Sequence, residues 1–111
     1  GGIMQGTIAQ AANPDHVQRL LKTNQCPGCD LSGAALKDAN LYGANLVNAN
    51  LKNADLSGAN LGSANLTDAD LTGAKLLEVY LHAAILDGTN LSQADLSRSY
   101  LREANFSHTT K

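Results

Sequence analysis

The chain has 111 residues, of which eight are Lys or Arg and ten are Asp or Glu, for a formal net charge of −2 at pH 7. This near-balance lacks the basic footprint of a nucleic-acid-binding protein, and no apolar run is long enough to span a bilayer. We therefore expect one small domain with neither a nucleic acid partner nor a membrane span.

Residues 1–12 are small and unpatterned. Ala9-Gln10-Ala11 matches the A-x-A pattern of a signal-peptidase site. We interpret residues 1–12 as a leader, either the remnant of a secretory signal, with Gly1-Gly2 from a tag, or an ordinary disordered segment. The first interpretation predicts an exported protein, and the second is compatible with a cytoplasmic one.

The next segment has the features of a helix start. Asn13-Pro14-Asp15 combines a capping side chain, a proline in the first turn and an acidic residue near the positive end of the helix dipole. Val17 and Leu20 follow at helical spacing. The sequence predicts a short helix over 14–22, within a capping segment of residues 13–25.

Two cysteines follow in Cys26-Pro27-Gly28-Cys29, a C-x-x-C motif. In an oxidising compartment this motif favours a disulfide, and in a reducing one it favours metal or redox chemistry. A disulfide between Cys26 and Cys29 would fix the helix to the structure that follows, and two packed thiols are the alternative. No βαβ pattern supports thioredoxin-like activity, and a zinc site would have only these two thiolates and His16. We predict no metal and no cofactor.

From Leu31 to Phe106 every fifth residue is Leu, or Phe at the last of the sixteen stations, and a small residue stands two positions before each. Side chains alternate along an extended segment, so each leucine and the small residue two positions before it lie on the same side. The next small residue comes three positions after the leucine and would lie on the opposite side if the segment stayed extended. The chain must therefore turn within every five residues and wind into a polygonal coil. We predict that all sixteen stations point inward with the small residues before them.

The polar positions agree with this coil. The residue before each station is Asn or Asp at eleven of sixteen places, and Gly, Asn or Asp often stands two after it. These residue types tolerate turn conformations. A helix is excluded, because a period of five would spread the apolar positions around its whole circumference.

The pattern A(D/N)LxG, as in Ala54-Asp55-Leu56-Ser57-Gly58, resembles the pentapeptide repeat family over residues 29 to about 108. The resemblance implies an all-β solenoid, a right-handed quadrilateral parallel β-helix with four pentapeptides per coil. Residues 26–111 would form four coils behind the short amino-terminal capping α-helix. Small family members with such a helix and an export signal are frequent in cyanobacteria, which implies a periplasmic or thylakoid-lumen location.

Stacking residues twenty apart gathers all three tyrosines on one face of this coil. The face combines aromatic rings, hydrogen-bonding groups and positive charge, features that recur at interaction hot spots. The last coil has no visible cap, which leaves open a homodimer through that end. The predicted interaction surface consists of Tyr42, Tyr80, His82, Tyr100 and Arg102.

The sequence contains no recognisable catalytic constellation. The three histidines fall in the helix, on an outer face and in the tail, at His16, His82 and His108. We therefore predict a non-catalytic structural or protein-interaction module with an unidentified protein partner, and not an enzyme. One alternative implied by the family is a DNA-mimicking regulator of DNA gyrase, although that role needs a long, strongly acidic rod. The other is a redox protein acting through the C-x-x-C motif.

Overall fold

A computed structural model describes residues 11–106. The leader predicted for 1–12 and the tail with His108 therefore lie largely outside the described residues. The described chain consists of one α-helix, α1 (Pro14–Thr23), followed by a backbone that turns every five residues. Within the described part, no helix has the length and apolar character needed to cross a bilayer.

Helix α1 begins and ends as its sequence indicates. The side chain of Asn13 accepts hydrogen bonds from the backbone N–H groups of Asp15 and His16, at 2.9 and 3.4 Å. These bonds satisfy amides that the first turn leaves without partners. The helix ends at Asn24, which adopts the left-handed conformation with φ of 57°. The observed helix is one residue longer than the predicted 14–22.

Residues twenty apart are joined by parallel β-bridges, from Gln25 with Asn45 to Ile85 with Asn105. The extended parts are single bridges and not continuous strands, because a turn interrupts them every five residues. One turn of the coil therefore contains four pentapeptides.

Most backbone N–H groups of the five-residue units have a protein acceptor, as a packed interior requires. In the unit Asn60–Ala64 the five donors bond, at 2.7 to 3.0 Å, to the coil before, the coil after or the unit itself. Asn60 and Leu61 donate to the carbonyls of Ala39 and Tyr80, and Gly62 donates to the side chain of Asn60. Ser63 donates to the carbonyl of His82, and Ala64 donates to the carbonyl of Leu61.

The core is one continuous column of leucine and small side chains, closed at its first end by Leu20 of α1. The prediction of inward leucines is confirmed from Leu31 to Leu86, since every station in that range is buried. The last four stations are less buried. Leu91 and Leu96 are half-buried, and Leu101 and Phe106 are 40% and 41% exposed, because no further coil within residues 11–106 covers them.

A candidate interaction surface on the tyrosine face

The predicted interaction residues lie together on one side of the coil, which we call the tyrosine face. It consists of Tyr42, Asn60, Gly62, Tyr80, His82, Tyr100 and Arg102. Parallel bridges place Tyr80 above Asn60 and Tyr100 above Tyr80. The three tyrosines are 46% to 54% exposed, and His82 and Arg102 are also exposed.

Tyr80 and Tyr100 form a stacked pair. Their ring centroids are 4.7 Å apart and their planes differ by 8°. The distance follows from the spacing of parallel strands, about 4.8 Å. The pair thus presents two parallel aromatic rings with a common exposed edge.

Below this pair is a groove of about 370 Å³ lined by Tyr42, Asn60, Tyr80 and His82. Gly62 lies next to two of these residues, Tyr42 and Asn60. Its φ is not in the left-handed region, so the backbone does not require glycine here. A Cβ atom at this position would lie 3.1 Å from the ring of Tyr42, closer than nearly all such contacts. The missing side chain leaves room for the Tyr42 ring, whose hydroxyl lies 3.4 Å from the Ser63 hydroxyl.

The tyrosine face lacks, at Tyr80 and Tyr100, a hydrogen bond that forms at ten places in the coil; Ala35, Lys75 and Ile85 also precede a leucine without offering an acceptor. At each of the ten places, an Asn or Asp before a leucine accepts a hydrogen bond from the backbone N–H two residues later. The ten side chains that do so belong to Asp30, Asn40, Asn45, Asn50, Asp55, Asn60, Asn65, Asp70, Asn90 and Asp95.

Tyr80 and Tyr100 replace this acceptor with an aromatic ring. Within residues 11–106, the backbone N–H groups of His82 and Arg102 consequently have no protein acceptor. The guanidinium of Arg102 likewise forms no ion pair with the described residues, whereas Arg98 and Lys52 lie 3.6 and 3.7 Å from the carboxylates of Glu78 and Asp70. The face therefore offers hydrogen-bond donors and a positive charge without local partners.

The sequence prediction missed both the open amides and the role of Gly62. A signal for the amides was present, because Tyr80 and Tyr100 follow Asn40 and Asn60 in one column and have no carbonyl or carboxylate acceptor there. The groove had no comparable signal, since glycine is common in this repeat.

A second group of predicted residues lies where α1 meets the first coil. The sulfur atoms of Cys26 and Cys29 are 2.07 Å apart, as in a disulfide, and both residues are buried. The Sγ of Cys26 lies 3.3 Å from the backbone carbonyl oxygen of His16, and Arg19 approaches the Sγ of Cys29 at 3.7 Å. This geometry supports the predicted disulfide.

His16 occupies a structural position beside the disulfide. Its Nδ1 accepts a hydrogen bond of 2.9 Å from the backbone N–H of Asp30, and the N–H of Asn13 donates to the carbonyl of Asp30 at 3.1 Å. Within the described chain, no cluster of three His, Cys, Asp or Glu side chains has the geometry of a metal site. His16 and His82 are also separated, in α1 and on the tyrosine face.

The fold and this surface define a solenoid protein with an exposed aromatic face. The sequence model of the pentapeptide repeats matches eight copies, at residues 29–68, 49–88, 64–102 and 74–110. The chain therefore belongs to the pentapeptide repeat family, and its coil is a right-handed β-helix.

Two solved structures show the likeness in three dimensions. A pentapeptide repeat protein from the thylakoid lumen of Arabidopsis thaliana is 32% identical, with a TM-score of 0.72 over 79% of this chain and 58% of its own. HetL, a pentapeptide repeat protein involved in heterocyst differentiation regulation in the cyanobacterium Nostoc, is 34% identical, with a TM-score of 0.52 over 64% of this chain and 35% of its own. The chain thus spans less than two thirds of either protein. A comparison with curated proteins gives no match.

Proposed function

We propose that this protein is a non-catalytic protein-interaction module, a tower of four coils capped by α1, whose contact surface is the tyrosine face. The observation that carries the proposal is the exposure of three tyrosines, each about half accessible, on one side of the coil. Tyrosine and arginine are enriched among residues that dominate binding energy. The stacked pair is held by the backbone of two successive coils, so little conformational entropy is lost when a partner binds.

The structure supports a binding role better than a catalytic one. A catalytic site needs a nucleophile or base oriented by a further group next to a space for substrate. The groove on the tyrosine face is lined by two tyrosines, an asparagine and a histidine. Among the described residues, no carboxylate lies within 4.0 Å of His82 to orient it as a general base.

We also propose that the protein is exported, to a periplasm or a thylakoid lumen. A disulfide persists in oxidising compartments, and Cys26 and Cys29 are positioned for one. The similar Arabidopsis protein comes from the thylakoid lumen. Intact mass measured without reductant, on protein from its native compartment, should be two hydrogens below the reduced value.

The two alternative functions have less support. A redox role requires access to the sulfur atoms, but Cys26 and Cys29 are 0% and 1% exposed beneath α1. DNA mimicry requires a strongly acidic rod, and ten acidic residues face eight basic ones in this chain. A homodimer through the last coil stays a prediction, which the dependence of the molecular mass on concentration tests.

The experiment uses the protein as bait in native extract and compares it with the double variant Tyr80→Asn/Tyr100→Asn. Asn already occupies this column at Asn40 and Asn60, so the variant should keep its fold. We expect it to lose a partner that the unaltered protein captures. Ile85→Asn is the matched control, because it replaces another exposed apolar residue that also precedes a leucine but lies outside the groove. If the double variant keeps every partner of the unaltered protein, the tyrosine face is not the contact surface.

A further inference from the structure

We infer that the tyrosine face binds an acidic peptide segment of a partner protein, with a carboxylate beside an aromatic side chain. The inference rests on the proposed function and specifies the partner chemistry. The carboxylate would accept hydrogen bonds from the open amides of His82 and Arg102, and the aromatic side chain would occupy the groove beside Tyr42 and Tyr80.

Two backbone donors of the tyrosine face favour a carboxylate as the ligand. The N–H groups of His82 and Arg102 belong to equivalent positions in successive coils, about 4.8 Å apart. Neither has an acceptor within residues 11–106. An ionised carboxylate has two acceptor oxygens and forms stronger hydrogen bonds than a neutral group. One carboxylate can therefore approach both amides.

The charge around Arg102 also favours an acidic ligand. Arg102 forms no ion pair with the described residues, and even its sequence neighbour Glu103 lies beyond ion-pair distance. Glu78, on the adjoining side, is already paired with Arg98 at 3.6 Å. An acidic group from outside the molecule would therefore meet a free guanidinium here. The chain as a whole has a net charge of −2, so its remaining surface does not favour an acidic partner.

An apolar groove lies beside these donors. It is lined by Tyr42 and Tyr80 together with Asn60 and His82. Aromatic side chains pack well against other rings, either offset or edge to face. Gly62 leaves room for the Tyr42 ring, since a side chain at this position would meet that ring. A purely ionic ligand would leave this groove unused, which is why we infer an aromatic residue next to the acidic one.

The test is a titration of ¹⁵N-labelled protein with three short peptides, followed by the amide signals in NMR spectra. The probes are acetyl-Asp-Phe-Asp-amide, its neutral counterpart acetyl-Asn-Phe-Asn-amide, and acetyl-Asp-Ala-Asp-amide, which lacks the ring. We expect saturable shifts of the His82 and Arg102 amides with the first peptide. The other two should bind at least about tenfold more weakly, and added salt should weaken the first, because the charged groups are exposed.

The matched variants are Tyr80→Asn and Ile85→Asn. The first gives the His82 amide the acceptor that Asn60 gives Gly62, at 2.9 Å, and removes a groove wall. We expect at least about tenfold weaker binding of acetyl-Asp-Phe-Asp-amide, whereas Ile85→Asn should bind it like the unaltered protein. Unfolding midpoints of both variants establish that the fold is retained.

Several outcomes would overturn the inference. These are equal binding of the neutral peptide, unshifted His82 and Arg102 amides at millimolar peptide, or undiminished binding by Tyr80→Asn. Amide shifts that grow with protein concentration alone would assign the face to a second copy of this chain. If the double variant loses captured partners but the acidic peptide does not bind, only this inference fails. If the double variant keeps all partners as well, the proposed function fails with it.

Discussion

At the scale of single residues, the five-residue unit is maintained by two positions outside the core. In ten units the Asn or Asp before the leucine accepts the first turn amide, as Asn60 does, and the second residue after each leucine from Leu31 to Leu101 has a positive φ. Glycine adopts that conformation without steric cost, and Asn or Asp do so more readily than other residues. The repeat nevertheless has Ala83, Glu78 and Arg98 at such corners, with φ between 56° and 58°. These corners are sites of local strain.

We therefore expect opposite effects from glycine at two neighbouring alanines. Ala83→Gly should stabilise the protein by about 0.5 to 1 kcal/mol, because the strain of a left-handed alanine exceeds the added entropy of the unfolded chain. Ala84→Gly should destabilise it by about 1 kcal/mol, because Ala84 is fully buried and its methyl group fills the core. Urea unfolding measures both. A loss of stability in Ala83→Gly would show that the corner is unstrained.

Four of the aspartates that precede leucines should make the stability of the protein depend on pH. The hydroxyl and then the backbone N–H of Ser97 lower the pKa of Asp95 below its ordinary value of 3.8, and Ser32 lowers the pKa of Asp30 in the same way. The backbone N–H of Ser57 lowers that of Asp55. For Asp70, burial raises the pKa, but hydrogen bonds from Thr72 outweigh it.

A carboxyl group whose pKa is lower in the folded state than in the unfolded state stabilises the protein at pH values above its unfolded-state pKa. This stabilisation is lost as the pH falls through the folded-state pKa. The urea midpoint should therefore decline as the pH drops below about 4. The variant with all four aspartates changed to Asn keeps the turn acceptors and should lose most of this decline. An equally steep decline in that variant would assign the acid sensitivity to other groups.

At the scale of elements, α1 takes the place of a missing coil. In the tower, the residue before each leucine bonds through its N–H and its carbonyl to neighbouring coils. For Asp30, the imidazole of His16 accepts the N–H and the backbone of Asn13 donates to the carbonyl. Leu20 adds a fully buried side chain beneath the first leucines. These contacts support the capping role predicted for α1.

We expect reduction of the disulfide to loosen α1 before it affects the coils. Cys26 and Cys29 lie against His16 and Arg19 of α1, whereas the coils have their own hydrogen bonds. Hydrogen exchange of the α1 amides should accelerate at least about tenfold on reduction, with little change around Leu61.

Two variants control this experiment. Cys26→Ala/Cys29→Ala should reproduce the effect without reductant. His16→Ala should accelerate exchange in α1 and at the Asp30 amide with the cysteines still oxidised. Cooperative unfolding of all coils on reduction would show that the disulfide supports the whole tower.

The sequence predicts features that depend on local geometry better than contacts that depend on how separate parts of the chain pack. The leucine period fixes which residues face inward, and Asn13-Pro14-Asp15 places the start of α1 correctly, because both depend on local geometry. The bond between His16 and Asp30 was not predicted, since it depends on how the helix is positioned over the coil. The groove was missed for the same reason, because Gly62 matters only once the Tyr42 ring lies over it.

At the scale of the whole molecule, each coil contacts only its neighbours, so stability is a sum of coil and interface contributions. Central coils have a neighbour on both sides. The last described coil has a neighbour on one side only. Its leucines become more exposed along the chain, from half-buried at Leu91 to 40% exposed at Leu101. Local opening should therefore begin at this end.

Because burial decreases toward this end, the same Leu→Ala substitution should lower the free energy of unfolding by different amounts at two stations. Leu61→Ala removes a fully buried side chain and should cost about 2 to 5 kcal/mol of unfolding free energy. Leu101→Ala removes one that is 40% exposed and should cost less than about 1.5 kcal/mol, because less apolar surface is lost and the site can relax. Chemical denaturation measures both costs, and hydrogen exchange should show least protection beyond Leu91. Equal costs would mean that the end of the coil is covered in solution. If a second copy of the chain covers this end, the free energy cost of Leu101→Ala should rise with protein concentration. Light scattering should then give twice the chain mass, whereas a monomer should give the mass of one chain.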